Sequence, residues 1–181
     1  MEENKTIKSC TFFGTHPLPY LCERFHMETL IAILTLFEGG CHTFYFCGQG
    51  DFDAFCHRIV SIIKAGHAYH IETRRILCVK DEAQVQKQKN AFVPERYEDV
   101  ICLPTDLDQE QKSTHLRNCA MIDASDAVIF CVEEKGNSNA YRAYKYAQEK
   151  GKKTVNLWEK YAPILVPRDE YFGHSGVFYV D

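Results

Sequence analysis

Short apolar runs alternate with amphipathic stretches along most of this 181-residue chain. Ile7 to Phe13 reads as a strand that ends in Gly14-Thr15-His16-Pro17. From Tyr20 to Glu38 the apolar positions Leu21, Phe25, Leu30, Ile33, Leu34 and Phe37 fall on one broad helical face, and Gly39-Gly40 ends the helix. Thr43 to Cys47 is a second strand. It runs into Gly48-Gln49-Gly50-Asp51, after which Phe55, Ile59, Val60 and Ile63 recur at helical spacing up to Gly66. Arg75 to Val79 and the segment from Tyr97 to Leu103 are further strands, separated by a polar stretch, Asp81 to Asn90, that reads as an exposed helix or loop. Leu107 to Ser125 is a helix, with Asp106 or Asp108 as a candidate cap. Ala127 to Val132 is a buried strand, Ser138 to Lys150 a helix closed by Gly151, and Thr154 to Leu157 a last strand. Ile164 to Val166 and Val177 to Val180 are candidate short additions in a tail rich in proline and aromatic residues.

This alternation predicts an α/β fold, a Rossmann-like three-layer sandwich with a mostly parallel sheet. A single domain over residues 1–181 is expected, with its core at about 7–157 and a short C-terminal extension.

Composition narrows the function classes. The net charge of −4 supplies no basic footprint, so nucleic acid is disfavoured as a partner. The apolar stretch from Leu30 to Phe37 is too short to cross a bilayer, and no signal-peptide core follows the charged N-terminus, so a cytoplasmic protein away from membranes is expected. The nine cysteines include no CxxC pair and several lie inside strand-like runs. Reduced, buried thiols and no metal site or cofactor are the expectation.

In an open α/β sheet, ligands gather at the carboxyl ends of the strands. Three glycine-containing turns fall there: Gly14-Thr15-His16, Gly48-Gln49-Gly50-Asp51, and Glu133 to Asn139 with Gly136, Asn137 and Ser138. Neutral donors beside helix N-termini suit a phosphate or ribose. Arg117 can offer its planar fork to a phosphate at the same edge, or be solvated or paired with Asp123 or Glu110. Asp51 and Asp53 either cap the helix that follows or accept bonds from a sugar. His16 and His57 are acid/base candidates only because histidine titrates near neutrality.

Phe12-Phe13-Gly14, the stretch Phe44 to Asp53, Arg117-Asn118 with Met121 to Ile129, and Gly151 to Leu157 together resemble the SLOG superfamily, in particular its small single-domain bacterial members. The resemblance implies a Rossmann-like fold and a nucleotide-type pocket at Gly14, Gly48, Gly50, Asp53 and the Gly136 turn, and adds weight to Arg117 and Asp126. The superfamily includes the DNA-processing DprA branch and cytokinin-activating phosphoribohydrolases. The chain departs from two of the family's patterns: Gly14-Thr15-His16-Pro17 stands where the small single-domain members often carry Gly-His-Arg, and the Gly136 turn lacks the Pro-Gly-Gly-x-Gly-Thr-x-x-Glu motif of the phosphoribohydrolase branch.

The expected ligand-binding set is therefore Gly14, Thr15, His16, Gly48, Gln49, Gly50, Asp53, Arg117, Asp126, Gly136, Asn137 and Ser138. The function this implies is binding or sensing of a nucleotide or nucleotide-derived small molecule by a homo-oligomer. The alternatives are a hydrolase of an N-glycosidic or phosphate bond and, against the acidic charge, a protein that handles single-stranded DNA.

Overall fold

The computed structural model describes residues 6–15, 23–66, 73–90, 96–104, 114–134 and 137–158. Eleven elements follow one another: β1 (Ser9–Gly14), α1 (Glu23–Glu38), β2 (Thr43–Phe46), α2 (Asp51–Ala65), β3 (Arg74–Val79), α3 (Glu82–Asn90), β4 (Asp99–Cys102), α4 (Thr114–Ala124), β5 (Ala127–Cys131), α5 (Asn139–Glu149) and β6 (Lys153–Asn156). The six strands form one sheet in the order β4-β3-β2-β1-β5-β6, and every neighbouring pair is parallel. This is the Rossmann-like α/β sandwich that the alternation of elements predicts. The polar stretch before β4 is a helix, α3, which buries only Val85. The helix expected from Leu107 is described only from Thr114, and the candidate tail strands and both candidate caps, Asp106 and Asp108, lie outside the described residues.

Parallel strands need covered faces, and alternate residues supply both. Phe12, Phe44 and Phe46 point to the α1/α2 side, with the Phe12 ring 6.1 and 5.3 Å from the other two. Phe25, Ile33 and Phe37 of α1 and Phe52, Cys56 and Val60 of α2 close over them. On the opposite face Phe13, Val128 and Phe130 pack against Met121 and Ile122 of α4 and Ala143, Tyr144 and Ala147 of α5. Small residues on α5 let that helix approach the sheet closely. Removing one of the central rings, as in Phe12→Ala, would cost about 3–5 kcal/mol by the usual cavity penalty.

The chain runs leftward from β1 to β4, then crosses the sheet through α4 to start β5 on the other side of β1. The carboxyl ends of β1 and β5 are therefore the topological switch point, where consecutive connections diverge and leave a crevice. All eight described cysteines are free thiols, six of them buried. Among the described residues no helix is long and apolar enough to cross a membrane.

Candidate functional site

The turn between β2 and α2 is built by two glycines and one buried carboxylate. Gly48 has φ of +65°, and a Cβ there would lie 2.8 Å from Leu77 Cδ1. Gly50 has φ of +91° and ψ of 152°, a region essentially restricted to glycine, and it occupies the N-cap position of α2 without any side-chain cap. Neither Asp51 nor Asp53 is that cap. Asp53 instead reaches back from the first turn of the helix. Its Oδ1 accepts from the Cys47 amide and its Oδ2 from the Gly48 amide, each at 2.9 Å. The side chain is only 4% exposed. Burial pushes the Asp53 carboxyl up to about 6, against the pull of the two amides and of the more distant Arg117 guanidinium. Asp53 is thus the clamp of the turn, with each of its oxygens engaged by a backbone amide.

Above this turn, at the switch point, lies a cavity of about 250 Å³. Phe13 and Gly14 of β1, Cys47, Gln49 and Gly50 of the β2 turn, Thr114, Arg117 and Asn118 of α4, and Asn139 and Ala140 of α5 line it together with Asp53. The first residues of α5 and the Gly50 N-cap of α2 border it, so two positive helix ends lie at its edge. Arg117 is 8% exposed, and Asn118 4%. The Arg117 Nη1 donates to the Cys47 carbonyl and to Gln49 Oε1, both at 3.4 Å, and Nη2 donates to Asn118 Oδ1 at 3.3 Å. These are long bonds. Among the described residues Nε has no partner and no carboxylate lies within 4.0 Å of the guanidinium. A buried cation in this state is costly unless something anionic completes it.

Gly14 lines the cavity and is also packed tightly on its other side: a Cβ there would sit 2.4 Å from the Cβ of Phe52. The Thr15 amide extends the β1–β5 ladder, donating to the Cys131 carbonyl at 2.9 Å. Ser138 caps α5, its Oγ accepting from the Tyr141 amide at 3.1 Å, and Asn137 is exposed beside it. His16 and Gly136 lie outside the described residues.

Asp126 is the clear correction. It sits at the amino end of β5, where its Oδ2 accepts from the Lys8 amide at 3.0 Å, the Ser9 amide at 3.2 Å and Ser9 Oγ at 3.1 Å. Gly14 is at the far end of β1, about 16 Å away along a strand of this length. Asp126 fastens the start of β1 to the start of β5 and has no part in the cavity. Thr114 and Asn139 do line it, and only their positions at helix starts could have pointed to them.

The reactive groups nearby are held in check. Burial pushes the Cys47 thiol up to about 12, with help from Asp53, so it is no thiolate at neutral pH. His57 is held below its ordinary value by burial, and its Nε2 contacts the Arg96 carbonyl at 2.7 Å, which makes that nitrogen the donor of a neutral ring. Among the described residues no group of three His, Cys, Asp or Glu side chains is placed to hold a metal ion.

A second, more open cleft of about 650 Å³ lies on the other side of the Gly48 turn, along α2 and toward Arg96 and Tyr97. On its wall Arg75 donates from Nη2 to Glu98 Oε1 at 2.7 Å and from Nη1 to Ser61 Oγ at 2.9 Å. Burial works against ionisation of Glu98, but its bonds from Arg75 and Lys64 outweigh that and pull it down to about 2.

With the geometry in place, the comparisons with known proteins concern the fold alone. The sequence matches no family model and no curated protein. Among solved structures, DNA processing protein A (DprA) from Streptococcus pneumoniae superposes with a TM-score of 0.51 at 12% identity, over 88% of this chain. The two share a fold. The match spans 62% of the DprA chain.

Proposed function

We propose that this chain is a cytoplasmic protein that binds a nucleotide or nucleotide-derived small molecule, with a phosphate of that ligand seated in the switch-point cavity against Arg117. One observation carries the reading: the buried Arg117 guanidinium, its Nε without a partner, lines a cavity bordered by two helix N-termini. A phosphate would supply the missing acceptor and the missing charge, and the guanidinium fork is matched to it. The shared fold with DprA is compatible with a nucleotide-type ligand. Bond cleavage draws no such support, because Asp53, the one carboxylate among the described lining residues, is committed to two backbone amides.

Thermal denaturation with nucleoside monophosphates, cyclic nucleotides and ADP-ribose tests the proposal. A ligand at about 100 times its Kd should add about 2.7 kcal/mol of stability. Arg117→Met should remove the shift. No shift with any of these ligands well above millimolar concentration, or an undiminished shift in Arg117→Met, would refute the assignment. Self-association is proposed alongside it, and sedimentation as a monomer at micromolar concentration would remove that part.

A further inference from the structure

The cavity at Arg117 is small for a whole nucleotide. Its volume of about 250 Å³ falls under the roughly 300–1,000 Å³ common for small-molecule sites, so a ligand anchored there must extend out of it. The second cleft, about 650 Å³, shares Gly50 and Asp53 with the first and begins where the first ends.

That second cleft is chemically divided. Asp51 and Asp53 are at the end near the turn. Arg58 lies two turns further along α2, about 10 Å from Asp51 along the axis. Arg96 also lines the cleft, with Tyr97 and His57, whose rings are 4.6 Å apart. Arg75 is the third arginine, and Glu98 already neutralises it. Arg58 and Arg96 are different. Both are exposed, and among the described residues neither guanidinium has an ion-pair or hydrogen-bond partner. The other charged group nearby, Lys64, is bound to Glu98 at 2.7 Å.

We propose that the Arg58–Arg96 end of this cleft takes a second phosphate of the same nucleotide-type ligand, so that the ligand passes over the Gly50 turn with one phosphate on each side. This rests on the reading of Arg117 as the first anchor. Two unpaired guanidinium forks that line one cleft from different segments of the chain suit a phosphate better than a carboxylate, because a phosphate offers three acceptor oxygens to donors that arrive from different directions. Asp51, which lines this cleft and not the first cavity, repels phosphate, so the part of the ligand that passes it is sugar, whose hydroxyls can donate. The requirement for two separated anions excludes a simple mononucleotide as the full ligand.

Calorimetric titration of the whole chain with a nucleoside 5′-monophosphate and with the 5′-phosphorylated dinucleotide of the same base tests this. The wild type should bind the dinucleotide about 10-fold more tightly, equivalent to about 1.4 kcal/mol. The double variant Arg58→Gln with Arg96→Gln should bind both ligands alike. Its affinity for the mononucleotide should stay within about 2-fold of wild type, and its melting temperature should hold, because both side chains are exposed. Equal affinities in the wild type would overturn the second site and leave the first standing, as would an advantage that survives in the double variant. If neither ligand binds the wild type, the anchor at Arg117 falls and this inference falls with it.

Discussion

Replacing Asp53 by Asn separates two effects that the structure places on one side chain. Its oxygens each accept a backbone amide, at 2.9 Å in both cases, from the two residues that open the turn. An amide side chain of the same shape keeps one acceptor and turns its NH₂ group toward the other amide. One buried N–H then loses its partner, a loss worth about 1–3 kcal/mol. The second effect is electrostatic and has the opposite sign at neutral pH. Burial raises the folded-state carboxyl from 3.8 to about 6. The native state therefore holds this proton more tightly than the unfolded chain does. In the window between those two values the native state binds more protons, so this group lowers stability as pH rises through it and raises stability on acidification. Between about pH 7.5 and about pH 4.5 the wild type should gain about 2 kcal/mol from Asp53, at about 1.4 kcal/mol per unit of pKa displacement. Asp53→Asn has no such titration. Contributions from other groups, such as the opposite one from Glu98, are common to both proteins and cancel in the difference. Urea denaturation of both at the two pH values gives the answer. The stability gap between wild type and Asp53→Asn should widen by about 2 kcal/mol on acidification. A gap that is constant, or that widens toward alkaline pH, would refute the placement of an ionisable, desolvated carboxylate in the turn.

Further outcomes follow from single contacts. Gly14→Ala should cost about 1–3 kcal/mol through its clash with Phe52, whereas Gly50→Ala, which meets no atom within 4 Å, should lose a similar amount through backbone strain alone. Gly14→Ser should then be worse than Gly14→Ala, while Gly50→Ser and Gly50→Ala should be equal, as denaturant midpoints would show. Arg117→Met should keep or raise the melting temperature without ligand, because it removes a buried charge that no described carboxylate pairs within 4.0 Å and leaves an apolar chain in most of its space. A large drop would mean that the guanidinium is satisfied within the protein. Glu98→Gln should lower stability by about 1–2 kcal/mol at neutral pH, a figure reduced for the solvent that reaches Glu98, and the variant should lose the part of acid unfolding between about pH 4.5 and about pH 2. The sign follows from its depressed carboxyl, whose stabilising share is present above the ordinary glutamate range and disappears as pH falls through about 2.

The frame of this protein was readable because it depends on local pattern. Ala127 to Cys131 is apolar at every position, which suits only a strand covered on both faces, and all five residues are buried. The helix from Asp51 to Ala65 announces itself through Phe52, Cys56, Ile59, Val60 and Ile63. Order along the chain and the right-handedness of parallel crossovers then leave few arrangements of the strands. The site was less readable. Asp53 and Asp126 look alike as acidic residues beside a strand and a turn. Which end of the sheet each one occupies decides that one clamps the turn after β2 while the other ties the start of β1 to the start of β5. Arg117 has the sequence signature of a surface residue. Its burial depends on α4 crossing to the second face of the sheet, where the carboxyl ends of β1 and β2 and the start of α5 enclose it. Arg58 and Arg96 are separated by 38 positions and line one cleft only because the pairing of β4 with β3 sets the residues just before β4 beside α2. Periodicity and chain direction are enough to specify the elements and the parallel sheet. The tertiary structure decided which charges are buried, paired or free, because desolvation and hydrogen bonding are set by neighbours that are distant along the chain.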